Sequence, residues 1–223
     1  MVAARVTVRG LLLHLCSWQQ KTWIRFSKGN EPHQMAYRAW EMLKTPWPPL
    51  TERDIETAFA SSGATLDLFA MGKALYLPPL VPPLGGKLRK LQFAPVLTLR
   101  CNLDQECTGL ELRVMLVSCG DDSLLNGLGF RMEFGKDNHG FYHAQLLRDF
   151  RTSGHERRGP PIGCLQWLPE TQPSFPLPAR NSVALILTML ISLYGTNYFE
   201  YVDATSVVGI ERYQSDVMTG VRP

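Results

Sequence analysis

The residues of this 223-residue chain best suited to chemistry lie between Glu133 and Gln145. Glu133, Asp137, His139, His143 and Gln145 bring carboxylates, imidazoles and an amide into one short stretch, groups that can move protons or hold a metal. His143 as acid or base, with Glu133 orienting it, is the paired arrangement that proton transfer needs. His139 could serve as the second acid or base. His139 and His143 also have the spacing that presents two metal ligands on one helix face. Gly135, Gly140 and the pair Asp137-Asn138 favour a turn over a helix, and Asp in a turn bonds the backbone that follows it. No metal is assigned on this basis, and the sequence names no cofactor.

Strands must position these groups. Side chains alternate along a strand, so each run can be divided between two faces. Phe130, Met132 and Phe134 fall on one face with Leu97, Leu99, Leu112, Val114, Leu116, Tyr142, Ala144 and Leu146, which makes an apolar face for a core. The other face receives Arg100, Glu111, Arg113, Arg131, Glu133, His143 and Gln145. A hairpin turning through 136–140 sets Glu133 beside His143 on neighbouring strands, where facing side chains lie about 5 Å apart. Three readings of this face stand side by side. It is a solvated sheet face of weakly paired charges, a polar surface of Arg113, Arg131, Glu133, His143 and Gln145 for an anionic ligand, with the two arginines supplying charge and forked donors, or a catalytic face. Arg157 and Arg158, in a basic loop with Arg148 and Arg151, extend the candidate nucleic-acid contacts.

The wider pattern predicts an α+β fold. Runs 93–102, 110–119, 127–134 and 142–147, separated by Asp/Gly/Asn-rich connections, read as an antiparallel meander of four strands. A fifth strand is expected within 162–168. Residues 1–30 mix β-branched and aromatic residues without a firm period. From Pro32 the pattern turns helical through Met35, Tyr37, Trp40 and Leu43, and stops at Pro46. Thr51 and Asp54 open a second helix with the spacing of a capping box, and Ile55, Ala58 and Phe59 give it an inward stripe. The proline- and glycine-rich stretch 78–86 separates a mainly helical part, 1–86, from a sheet with C-terminal helices, 87–223. A helix over 183–194, capped by Asn181 or Ser182, is apolar nearly all round and is expected to be the most buried element.

Composition bounds the class. Hydrophobic residues make up 45% and charged residues 19%, ample for a sizeable core. The formal charge of +3 is only mildly basic and falls short of the clustered footprint of a dedicated nucleic-acid binder. Five scattered cysteines without a C-x-x-C pair fit reduced thiols in a cytosolic protein. The N-terminal apolar run is too short for a signal-peptide core, and 183–193 is too short to span a bilayer, so a cytoplasmic location away from membranes is expected. There is no phosphate-binding loop and no dinucleotide glycine motif.

Phe130-Arg131-x-Glu133, Asp137-x-His139 and Tyr142-His143-x-Gln145, with Trp167-Leu168-Pro169 and Phe175-Pro176-Leu177-Pro178 downstream, resemble a spacing in uncharacterised small bacterial proteins. Those are encoded beside toxin–antitoxin or phage-defence genes. The resemblance covers 127–195. It implies a bacterial, cytosolic protein that works with other proteins around nucleic acid. The expected function is an accessory subunit of a nucleic-acid-directed, antiviral-defence-like system, binding protein partners through its helical part and RNA or DNA at the arginine-bearing face. The alternative is a ribonuclease-type hydrolase or toxin using His143 and His139 with Glu133.

Overall fold

The computed structural model describes residues 7–28, 34–61, 65–80, 92–104, 107, 109–119, 125–134, 141–147, 162–163, 175–177, 179 and 181–194. In chain order the elements are α1 (Val8–Lys28), α2 (Gln34–Leu43), α3 (Glu52–Ala60), β1 (Thr65–Asp67), α4 (Leu68–Met71), β2 (Leu75–Tyr76), β3 (Ala94–Asn102), β4 (Glu111–Cys119), β5 (Leu125–Phe134), β6 (Tyr142–Leu147), β7 (Ile162–Gly163), β8 (Phe175–Pro176) and α5 (Ser182–Tyr194). The architecture is α+β. Strands β3 to β6 form the expected antiparallel meander. β1 and β2 both pair with β3, β8 extends the sheet beyond β6, and β7 runs parallel to β5.

The N-terminal helices and the sheet share their packing. α1 buries Val8, Leu11, Leu12, Leu15 and Cys16 in one core with Leu97, Leu99, Leu112 and Val114 of the sheet and Ile186, Leu187 and Leu190 of α5. α2 closes part of the opposite face, where Ala36, Ala39 and Leu43 pack with Val96, Met115, Val117 and Cys119. Helices therefore cover both faces. The division expected near residue 86 is one of composition, because β1 and β2 from the N-terminal side enter the same sheet. The described start of the proline-rich stretch reaches the residue just before β3, through an isolated bridge between Leu80 and Phe93; 81–86 lie outside the described residues.

Four details differ from the sequence reading or refine it. Within the stretch without a firm period, Val8–Lys28 form a 21-residue helix. Its inward stripe runs Val8, Leu11, Leu12, Leu15, Cys16, Gln19, Trp23, a helical spacing hidden because a polar Gln19 interrupts it. Phe134, assigned to the core face, sits at the end of β5 and is 45% exposed, held edge-on by Tyr142. Asn181 is the α5 cap, its side chain accepting from the Ala184 N–H, while Ser182 donates to the Cys107 carbonyl. α5 buries Ala184 to Leu187, Met189 and Leu190 but leaves Ser192 exposed, so its cover is not complete all round. The capping box of α3 forms as expected: Asp54 N–H donates to the Thr51 hydroxyl, and the Thr51 N–H to the Asp54 carboxylate.

Candidate functional site

The register of β3 to β6 sorts the polar face into two rows. Glu111 of β4, Glu133 of β5 and His143 of β6 stand side by side, with Arg100 of β3 at the far end. One step along, Thr98, Arg113, Arg131 and Gln145 make the second row. Like charges thus face each other across strands, which alone is unfavourable. Compensation runs along each strand instead. Arg113 Nε donates to Glu111 Oε1 at 2.6 Å, and Arg131 Nη2 lies 3.0 Å from Glu133 Oε1 while donating to Gln145 Oε1 at 2.7 Å. Arg100 lies 3.8 Å from Asp67, whose carboxylate also caps α4 through the Ala70 N–H.

Burial bears on the three readings of this face. Arg113 is 9% exposed and carries the ring of Phe69 from α4 with its guanidinium 4.5 Å from the centroid, a cation–π contact. His143 is 6% exposed. An open, solvated face is therefore not what these residues form. Three arginines and three acids balance among the described residues, so the face offers an anion little net attraction. Arg131, with a side chain 34% exposed, is more accessible than Arg113, the other arginine predicted for this sheet face. Glu133 and His143 do come together, but Nε2 to Oε1 is 3.9 Å, beyond hydrogen-bond reach, and His143 Nδ1 is buried with no hydrogen-bonding partner among the described residues. His139, Asp137, Arg157 and Arg158 lie outside the described residues. Among the described residues no group of three or more His, Cys, Asp or Glu is placed to hold a metal.

A second feature escaped the sequence reading. An open, largely apolar groove of about 440 Å³ runs along α1, floored by Cys16, Gln19, Trp23 and Ile24 and walled by Trp40 and Leu50. The floor is rigid. Gln19 donates to the Leu50 carbonyl at 2.9 Å and accepts from the Tyr76 N–H at 2.6 Å, while Trp23 Nε1 donates to the Tyr76 carbonyl at 3.0 Å. Trp23 and Trp40 stack with centroids 4.9 Å apart, and Lys44 sits 4.5 Å from the Trp40 ring centre. Burial, with Glu52 and Asp54 nearby, pushes the Cys16 thiol up to about 12, away from the thiolate form in which cysteine reacts. Lys21, Arg25 and Lys28 form an exposed stripe on α1 next to the groove stripe Gln20, Ile24, Ser27. The signal was present in the sequence: residues 8–28 contain no acid.

The chain matches no protein-family model, no curated protein and no solved structure. Among the described residues no helix is long and apolar enough to cross a membrane.

Proposed function

We propose that this protein is an accessory binding subunit of a bacterial, cytoplasmic, nucleic-acid-directed system of the defence kind, and that it meets its protein partner through the N-terminal helices. The observation that carries the partner half is the open groove along α1, beside which Lys21, Arg25 and Lys28 stand exposed and unpaired with any acid among the described residues. Ile24, 46% exposed at the groove floor, is an apolar side chain that a partner would cover. The nucleic-acid context rests on the resemblance of residues 127–195. Within the sheet face it falls to Arg131 rather than to the buried Arg113. Binding of RNA and DNA oligonucleotides at two salt concentrations tests this half. Arg131→Ala should lower a salt-sensitive affinity by about tenfold. Absence of binding, or binding indifferent to salt and to Arg131, would remove nucleic acid from the proposal.

The closeness of Glu133 to His143 favours a second reading, a ribonuclease-type hydrolase with His143 as acid or base. It requires turnover of RNA or DNA with a bell-shaped pH dependence, abolished by His143→Ala. No turnover with or without divalent metal would end it.

A further inference from the structure

The groove along α1 has a shape and a charge pattern that narrow the class of its occupant. It extends from Cys16 to Ser27 on α1, three turns and about 16 Å of helix. Along that length the helix shows two parallel stripes at the same spacing. Gln20, Ile24 and Ser27 line the groove; Lys21, Arg25 and Lys28 stand one residue further round, all exposed. Arg53, exposed in the first turn of α3, adds a positive charge at the groove's rim, next to Glu52. An apolar trough flanked by a line of cations is complementary to a helix whose apolar anchors recur every three to four residues and whose flank is acidic.

Resting on the accessory-subunit reading, we infer that the groove receives an acidic amphipathic helix of the partner protein, with its apolar side chains over Ile24 and its carboxylates on Lys21, Arg25 and Lys28. A nucleic-acid strand fits the same stripe less well. Its bases need free aromatic faces, whereas Trp40 is taken on one side by Trp23 and on the other by Lys44, and Trp23 is buried. The remaining exposed apolar side chain, Ile24, offers no ring to stack on.

The test uses the full chain and a labelled probe helix of about 14 residues with Leu and Phe on one face and Glu on the other, alongside the same peptide with Lys for Glu, read by fluorescence anisotropy. The Glu peptide should bind about tenfold or more tighter than the Lys peptide, and more weakly as salt rises. Ile24→Glu, and the double change Lys21→Glu with Arg25→Glu, should each lower Glu-peptide affinity by about tenfold without altering the melting transition. The double variant should in turn gain affinity for the Lys peptide. Equal binding of both peptides, no binding of either, or displacement of the Glu peptide by a single-stranded oligonucleotide would overturn the inference. If both peptides fail but Ile24→Glu still releases a co-purifying protein, the acidic helix is wrong and the accessory-subunit reading survives.

Discussion

The polar rows of the sheet and the stripe on α1 use the same residue types to opposite ends. On the sheet, Arg113 and Arg131 pair with Glu111, Glu133 and Gln145, in a block buried at Thr98, Arg113 and His143 and half-buried at Glu111, Arg131 and Glu133. On α1, Lys21, Arg25 and Lys28 have no acid on their own helix and stay exposed beside uncovered apolar surface. A charge with its counter-charge in place is part of the fold; a charge without one, next to exposed hydrophobic surface, is available to a second molecule. The polar rows are thus paired internally, whereas the cations of the plainer helix have no acid beside them among the described residues.

The sharpest contrast lies between the core and the binding stripe. Leu187→Ala empties a wholly buried site on α5 and should cost about 2–5 kcal/mol in chemical denaturation. It should leave peptide affinity unchanged once the variant is folded. Arg113→Ala comes next. It leaves Glu111 facing Glu133 without its guanidinium and strips the cover from Phe69, for an expected loss of about 2–3 kcal/mol. Loss of stability below about 0.5 kcal/mol would mean that the polar rows are not a structural unit and are open to a ligand after all.

A smaller effect is expected at the α3 cap, which frames the end of the groove. Burial acts against ionisation of Asp54, but hydrogen bonds from Lys73 and Thr51 outweigh it and hold its carboxyl below the usual range. A carboxyl lowered in the folded state stabilises the fold above the ordinary value near about 4 and stops doing so as the pH falls through its folded value. Urea midpoints followed from neutral to acid pH should therefore fall less steeply in Asp54→Asn than in the parent. Thr51→Ala should cost about 1 kcal/mol at neutral pH. Smallest of all, Arg25→Ala should change stability by less than about 0.5 kcal/mol, since the residue is exposed and pairs with no described acid.

Much of this was legible in the sequence wherever periodicity and local chemistry agree. The four long strands stand out as apolar runs between turn-rich connections, and Thr51 with Asp54 is a capping box whose bonds are local. That Glu111, Glu133 and His143 share a face followed from alternation, and the expected hairpin set Glu133 beside His143; the place of Glu111 beside Glu133 depends on the register of β4 and β5. Elements that depend on tertiary contacts were hidden. β1 and β2, three and two residues long, carry no period and are defined by pairing with β3. α1 was obscured by Gln19, whose inward amide makes sense only against the Leu50 carbonyl and the Tyr76 N–H, 31 and 57 positions away. The opposed charges two positions apart, Glu111 with Arg113 and Arg131 with Glu133, were the available hint that the polar face satisfies itself.

The central claim is that the stripe and groove on α1, and not the polar rows of the sheet, form the working surface for a protein partner. Affinity of the acidic amphipathic probe for two double variants tests it directly. Lys21→Glu with Arg25→Glu should lose about tenfold or more, whereas Arg131→Ala with His143→Ala should bind as the parent does. Undiminished binding in the first variant together with lost binding in the second would contradict the account and return the function to the sheet.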